Sequence, residues 1–319
     1  MPLMGNVQTQ QDDPLLIAGA MTPAMLVEHP LFPMVDRDIA GHLITIHRDT
    51  PRLARLKASH RKWLMTQSMY ALSIQRREDD PNSGLNPARF IGIATTIGAA
   101  SRNTADAFLK ELLAYKFLRE VVHGTDKRMR FLETTEASDR AMMSWFMGHM
   151  RGLDRLDGGE REKICAADPR IFRLAQPRAA ERLIANPVWR YPADSIRAFL
   201  FAEFGGMILH ELMNQIDAFS AVEGRVVVGP VSVPALAQQY GISVTNIKTM
   251  FKKTEEAGFV GWIGTRGNRT LWLSEAFLAD YLMWQAQKFS ALDEAFRFAH
   301  ARVSSLPATT QAEILLFSA

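Results

Sequence analysis

The most regular pattern of hydrophobic and polar positions lies in residues 231–273. Apolar positions first recur at the three- and four-residue spacings of a helix, and from Phe259 onward they alternate as in a strand. Ser232 and Ser243 are placed to cap two successive helices, and Gly241 supplies the turn between them. The segment therefore predicts a helix, a turn, a second helix and a two-stranded hairpin.

The second helix and the hairpin have outward residues of the types that contact nucleic acids. Hydroxyl, amide and ammonium groups reach phosphate oxygens and base edges, and a helix of this size fits the major groove. On the helix these residues are Thr245, Asn246, Lys248, Thr249, Lys252 and Lys253, and the hairpin tip adds Arg266 and Arg269. Helix, turn, helix and hairpin is the order of a winged helix-turn-helix, which predicts binding to double-stranded DNA.

A second, less regular copy of this pattern stands earlier in the chain. Asn86 and Pro87 predict the start of a short helix, and Ser101 is placed to cap the next one. Strands are predicted over residues 117–122 and 128–132. The candidate DNA contacts of this copy are Arg102, Asn103, Thr104 and Lys110 on the helix, with Lys127, Arg128 and Arg130 on the wing.

The two copies align over the whole pattern. Ser101 and Ser243 lie 142 positions apart (243 − 101), and the offset between Trp145 and Trp284 is 139 (284 − 145). Each copy is followed by a similar string, TEASDRAMMSW in the first and SEAFLADYLMW in the second. A repeat of this length indicates duplicated domains rather than a solenoid, whose periods are about 20–50 residues.

Helical patterns fill the rest of the chain. Long helices are predicted over residues 52–77 and 195–222, ahead of the two copies, and over residues 275–304 after the second copy. We therefore divide the chain into an N-terminal arm, a first winged-helix domain, a helical connector and a second winged-helix domain, with the bounds 1–37, 38–150, 151–192 and 193–319. The expected fold is mainly α, with tandem winged helix-turn-helix domains, long flanking helices and two small β-hairpin wings.

Composition narrows the class of protein. The 319 residues carry a net charge of +3, so attraction to nucleic acid has to come from local patches. Cys165 is the single cysteine, which excludes an internal disulfide. The sequence shows no signal-peptide pattern and no apolar run of the ~20 residues that a membrane span needs. A cytoplasmic protein without a membrane partner is expected.

No catalytic or cofactor-binding motif is complete. The string HELMN at residues 210–214 begins like a zinc-protease site, but Asn214 stands where the second histidine is needed. We therefore expect no enzyme activity, no metal and no cofactor. Six aromatic residues are candidates for an effector pocket between the halves, with core packing as the favoured interpretation: Trp145, Trp189, Phe199, Phe201, Phe204 and Trp284.

The element order and the strings after each wing are similar to those of the multiple-antibiotic-resistance regulator (MarR) family. LETTEASD at residues 132–139 and LSEAF at residues 273–277 stand where that family begins the helix after its wing, and Asp-Lys-Arg at residues 126–128 resembles its Asp-x-Arg wing motif. The resemblance covers roughly residues 50–150 and 195–300. It implies a DNA-binding transcription regulator of a usually dimeric family.

Because the chain has two copies, the resemblance implies a fused pseudo-dimer with two recognition helices about one DNA turn apart. A small-molecule effector and a second copy of the chain are further candidate partners. Two other functions stay open at this point. A plasmid-type replication initiator also has two winged helices per chain and would bind directly repeated sites. A winged-helix scaffold for protein interaction would bind no duplex even at low salt.

Overall fold

The computed structural model describes residues 19–50, 59–77, 80, 83–121, 130–265 and 268–305. Within these ranges the chain is mainly helical and has two small antiparallel sheets, which confirms the predicted mainly α class. No helix in them is long and apolar enough to cross a bilayer.

The described chain begins with three helices: α1 (Pro23–Glu28), α2 (Phe32–Asp49) and α3 (His60–Ile74). The sequence pattern predicts an arm up to residue 37, whereas α2 already begins at Phe32, with Pro33 in its first turn. Proline is tolerated there because the first N–H groups of a helix need no intrahelical acceptor. Phe32, Val35 and Ile39 are buried, so this segment is part of the core.

The first helix–hairpin unit, called here the first unit, consists of α4 (Pro87–Thr96), α5 (Arg102–Ala114), β1 (Leu118–Val121) and β2 (Phe131–Thr134). As predicted, Asn86 and Ser101 cap the two helices by accepting N–H groups of the first turn. The strands pair antiparallel, and Leu85 adds an isolated bridge to Leu132. The long helix α6 (Glu136–Asp157) begins directly after β2.

The connector between the units is helical, as predicted. It contains α7 (Arg161–Ala167), α8 (Pro169–Ala185) and α9 (Pro187–Arg190). Two helices then lead to the second unit: α10 (Asp194–Leu200) and α11 (Gly205–Asn214).

The single helix predicted over residues 195–222 is wrong, since the structure has α10 and α11 in its place. The chain turns at Phe204, whose φ of +58° is left-handed. A Cβ on the following residue, Gly205, would lie 1.7 Å from the carbonyl oxygen of Phe199. The helix is therefore broken by a close backbone contact, which a continuous apolar pattern does not reveal.

The second unit consists of β3 (Arg225–Pro230), α12 (Val233–Tyr240), α13 (Val244–Glu256), β4 (Val260–Thr265) and β5 (Asn268–Ser274), and α14 (Glu275–Ser304) follows it. Ser232 and Ser243 cap α12 and α13 as predicted. Gly241 ends α12 in the left-handed conformation with φ +63°, which glycine adopts at little cost. The strand order is β3–β5–β4, and β3 is an element that the sequence pattern did not indicate.

The elements of the two units recur in the same order and at the predicted offsets. Helices α5 and α13 both have 13 residues and begin 142 positions apart (244 − 102). Helices α6 and α14 begin 139 positions apart (275 − 136). The bridge from Leu85 to Leu132 takes the place that β3 has in the second unit.

One apolar cluster contains buried residues of both units and of the connector. Helix α8 packs against α3 on one side and α14 on the other, and α2 packs against both α6 and α11. A second cluster joins α1, α2, α6 and the later part of α14. The two units are therefore connected through a common core rather than by a loose linker.

Candidate nucleic-acid interface and central pocket

The outward face of α13 collects the predicted helix contacts of the second unit. Ile247, Met250 and Phe251 bury the opposite face, and the Phe251 ring packs edge-on against Phe199 with centroids 5.4 Å apart. This packing turns one set of polar side chains to solvent, and all of its members are exposed: Thr245, Asn246, Lys248, Thr249, Lys252 and Lys253.

Most of the positive charge on the outward face of α13 is not used in ion pairs and is available to a ligand. The Lys252 ammonium lies 3.6 Å from a carboxylate oxygen of Glu256, but both groups are exposed, so the pair is weak. No carboxylate oxygen of the described residues lies within 4.0 Å of the ammonium of Lys248 or Lys253. The Thr249 hydroxyl donates to the Thr245 carbonyl at 2.9 Å. The face therefore offers two unpaired cations to a ligand.

The hairpin of the second unit lies beside this helix, since the Trp262 ring on β4 packs against Phe251 at 5.6 Å. The Arg269 guanidinium lies over the Trp262 ring, 4.5 Å from its centroid, and this cation–π contact holds an exposed charge on the sheet. Arg266, the other predicted contact of the hairpin, lies outside the described residues.

The first unit exposes its predicted residues but neutralises more of their charge. Arg102, Asn103 and Thr104 are exposed at the start of α5. The Lys110 ammonium pairs with Asp106 at 2.7 Å, and Arg130 on the hairpin pairs with Glu120. Lys127 and Arg128 lie outside the described residues. The described part of this unit is therefore a weaker candidate for phosphate contact than α13.

A pocket with a cavity volume of about 120 Å³ lies among the helices outside the two units and is lined by four of the six tryptophans: Trp63, Trp145, Trp189 and Trp284. We call it the tryptophan pocket. Trp189 and Trp284 are stacked, with centroids 4.3 Å apart and planes 1° apart. The Trp284 Nε1 donates to the Trp189 carbonyl at 3.3 Å, which fixes the pair. The Trp63 ring packs against the Trp189 ring, with centroids 5.2 Å apart, and against the Trp145 ring, with centroids 6.1 Å apart.

Of the six aromatic candidates from the sequence, the tryptophans Trp145, Trp189 and Trp284 line this pocket. Phe199 and Phe204 are buried in the apolar core instead, and Phe201 is half-buried beside the Arg61 guanidinium. Core packing is thus confirmed for Phe199 and Phe204, and an effector pocket at the three tryptophans stays a prediction.

Three histidines near the pocket are shifted towards their neutral form. Burial lowers the pKa of His60 to about 4, although its Nε2 lies 2.9 Å from the Trp189 carbonyl. Burial, with a smaller contribution from the Lys288 charge, lowers the pKa of His210 to about 3. His149 has a pKa well below its ordinary value for the same two reasons. These imidazoles are therefore neutral at pH 7.

Lys288 and Asp36 form the charged pair beside the pocket. Burial lowers the pKa of the Lys288 ammonium, and the negative charge of Asp36 opposes that shift. Burial raises the pKa of Asp36, and the positive charge of Lys288 opposes it in turn. Only Lys288 of the two lines the pocket.

Sequence reasoning missed Trp63, His60, His210 and Lys288 as residues of one site. The available signal was the position of Lys288, four residues after Trp284 and four residues before Leu292 on one stripe of the helix. A charged residue on the buried stripe of a helix is uncommon unless it is paired or functional.

The chain matches no protein-family model, and neither the curated proteins nor the solved structures contain a match to it. Similarity to the multiple-antibiotic-resistance regulators therefore stays a prediction from the sequence pattern.

Proposed function

We propose that the chain is a sequence-specific, double-stranded DNA-binding transcription regulator, and that both helix–hairpin units are winged helices. The observation that carries this proposal is the exposed face of α13, with Asn246, Lys248 and Lys253 on a helix held by a capped turn. The helix order, the hairpin after it and the third strand β3 support the winged-helix assignment.

In this proposal α13 lies in the major groove. Asn246 stands near the N-terminus of the helix, where recognition helices contact base edges, and its amide can pair with adenine. The two unpaired lysines contact phosphates on either side and position the helix. Arg269, held on the Trp262 ring, extends the positive surface towards the backbone beside the groove.

The charge distribution assigns unequal roles to the two units. Helix α13 leads the contact with two unpaired lysines, and α5 binds an adjacent half-site more weakly because Arg102 is its one cation without an ion pair among the described residues. A pseudo-dimer of this kind would bind an imperfect palindrome. The candidate partners are thus duplex DNA first, with a small-molecule effector and a second copy of the chain as further ones.

The test is a genomic-fragment selection with the full chain at two salt concentrations, followed by affinity measurements on the enriched duplex. We expect enrichment of one short, semi-inverted site and a linear loss of log affinity with log salt. Replacement of Lys248 by alanine should lower affinity for all sequences, whereas Asn246→Ala should change the preferred base.

The matched control is Lys163→Ala, which removes an exposed lysine of the connector that is paired with Glu160 at 2.7 Å. It should leave DNA affinity unchanged. Enrichment of directly repeated sites would move the proposal towards a replication initiator. If no duplex binds even at low salt, the regulator proposal is wrong and the exposed face of α13 has another partner.

A further inference from the structure

The two hairpins differ at one pair of positions that are equivalent in the repeat. In the first unit Arg119 on β1 lies opposite Glu133 on β2, and their side chains form an ion pair at 3.0 Å. The equivalent positions of the second unit, 142 and 139 residues later (261 − 119 and 272 − 133), are Gly261 and Trp272, which also lie opposite each other. The repeat thus shows that a hairpin of this kind does not require a tryptophan here.

The indole of Trp272 lies across Gly261 on the neighbouring strand. A Cβ on Gly261 would lie 2.3 Å from the Trp272 Cζ2 atom, so the glycine leaves the room that the indole occupies. Val227 on β3 lies opposite Trp272 on its other side, and Ile263 is two residues after Gly261 and therefore on the same face. Val227, Trp272 and Ile263 thus form an apolar stripe across all three strands, which we call the outer stripe.

The outer stripe is open to solvent. Val227 is 52% exposed, Ile263 is 50% exposed and Trp272 is half-buried. Trp262, which precedes Ile263 on β4, faces the other side of the sheet and packs there against Phe251 of α13. The outer stripe and α13 are therefore on opposite sides of the sheet. Because apolar side chains that are exposed as a group mark interaction surfaces, the stripe is a candidate for contact with a partner.

Two exposed charges of opposite sign accompany the outer stripe. Arg225 is on the same face as Val227, and its guanidinium lies over the Trp272 ring, 4.7 Å from the centroid. Glu223 is exposed in the tight turn that precedes β3, two residues before Arg225. Within the part of the chain that the structure describes, neither charge has an ion-pair partner within 4.0 Å. The surface therefore combines an apolar centre with one unpaired cation and one unpaired anion.

This combination favours a second copy of the chain over DNA as the partner. A twofold axis brings the same patch of both chains together, so the patch has to complement itself. A patch with both signs of charge meets this condition, because Arg225 of one chain can pair with Glu223 of the other, twice in each dimer. Duplex DNA requires a surplus of cations, and one cation beside one anion does not provide it.

The size of the sheet sets the strength of such a contact. Three strands with a spacing of about 4.8 Å and a rise of about 3.3 Å per residue present a face of roughly 15 by 20 Å. A contact between two such faces buries on the order of 600–1,000 Å² in total, which is the size of weak, reversible interfaces. The dimer is therefore expected at high protein concentration and not as a permanent assembly.

We propose that the outer stripe of the second unit is the contact surface of a weak, symmetric dimer, in which two sheets stack face to face and Arg225 of each chain pairs with Glu223 of the other. Because α13 is on the opposite side of the sheet, the contact leaves its exposed face free. Self-association does not rest on the proposed function, whereas a role in joining chains on neighbouring DNA sites does.

The first test is sedimentation velocity on the full chain without DNA, from micromolar to near-millimolar concentration. We expect a monomer at the low end and a dimer at the high end. Val227→Lys places a charge on the outer stripe and should raise the dissociation constant roughly tenfold or more. Val188→Lys is the matched control, because Val188 on α9 is also 52% exposed and lies outside the sheet. It should leave the dissociation constant unchanged.

The second test is a pair of charge reversals. Arg225→Glu alone and Glu223→Arg alone each bring like charges together in a symmetric dimer, so each variant should dimerise roughly tenfold or more weakly. In an equimolar mixture of the two variants every facing pair again has opposite signs, and the dimer should form about as well as in the wild type. Misfolding of a variant cannot produce this recovery.

Three outcomes would each overturn the proposal: a wild-type monomer at every concentration, an unchanged dissociation constant in Val227→Lys, or no recovery in the mixture of Arg225→Glu and Glu223→Arg. A monomer at every concentration would also leave the outer stripe to a different partner. Because no DNA is present, these outcomes are independent of the regulator proposal.

Discussion

Two adjacent glycines at the start of α11 have opposite surroundings, which makes them a matched pair for substitution. A Cβ on Gly205 would lie 1.7 Å from the backbone oxygen of Phe199, and backbone cannot rotate away as a side chain can. We expect Gly205→Ala to lower the free energy of unfolding by about 2–4 kcal/mol, in the range of severe strain or packing defects. Urea unfolding with a tryptophan signal measures it.

Gly206→Ala is the control for this substitution. A Cβ at Gly206 meets only a methyl carbon of Leu200 at 3.9 Å, an ordinary contact. Because alanine is favoured over glycine within a helix by up to about 1 kcal/mol, this variant should be neutral or more stable. Equal destabilisation by both alanines would show that the tight contact at Gly205 does not hold.

Arg161 allows a second prediction at the scale of one residue. Its side chain is 4% exposed, and its Nε lies 2.8 Å from an oxygen of the fully buried Asp293. Removing one partner of a buried ion pair leaves the other charge unpaired, so Arg161→Leu should cost about 3–5 kcal/mol in unfolding free energy. Arg151→Leu removes an exposed pair with Glu162 and should cost less than about 1 kcal/mol. Similar losses in the two variants would contradict the prediction.

At the scale of elements, local signals were reliable where a side chain acts on its own helix. Ser101, Ser232 and Ser243 cap helices as predicted because the cap needs only the chain within three residues. The break between α10 and α11 could not be predicted, since it depends on Phe199 approaching Gly205 through the backbone. β3 was missed for a similar reason: its partner β5 lies about forty residues further on, and pairing at that distance has no local signature.

The two candidate recognition helices differ in free charge, and this difference predicts unequal contributions to DNA binding. The Lys248 ammonium is unpaired among the described residues, whereas Lys110 is paired with Asp106 at 2.7 Å. Lys248→Ala should therefore reduce the slope of log affinity against log salt by about one. Lys110→Ala should change the slope less, because that lysine must first leave its carboxylate. Equal slopes for the two variants would indicate that both helices contact phosphates alike.

At the scale of the whole molecule, sequence reasoning found the repeat but not the site between its halves. The offsets of 142 and 139 residues place Trp145 and Trp284 at equivalent positions, and both line the tryptophan pocket. Trp63, His60 and Lys288 come from separate helices, α3 and α14, whose contact is arranged by the connector helix α8. Which buried polar residues meet depends on that packing, and the hydrophobic pattern of each helix alone does not determine it.

The buried histidines make the stability of the whole chain depend on pH. In the unfolded chain a histidine has a pKa of 6.5, while the folded values are about 4 for His60 and about 3 for His210. At a pH between the folded and the unfolded pKa, the unfolded state binds more protons than the folded state. The free energy of unfolding therefore has its full value above pH 6.5 and decreases as the pH falls. Each such histidine contributes a slope of about 1.4 kcal/mol per pH unit. Asp36 opposes this pH dependence, because its raised pKa lets the folded state bind up to one proton more than the unfolded state.

We therefore expect the urea midpoint to decrease as the pH is lowered from 6.5 to 5. The slope of stability against pH should correspond to a net uptake of one proton or more on unfolding. His60→Gln retains an N–H donor for the Trp189 carbonyl but takes up no proton, so it should flatten the profile by about one proton. His210→Gln should likewise retain a hydrogen bond to the Tyr281 hydroxyl and flatten the profile by about one proton. The double variant should have a flatter profile than either single variant. A wild-type midpoint that is independent of pH in this window would show that these imidazoles are not held neutral by burial.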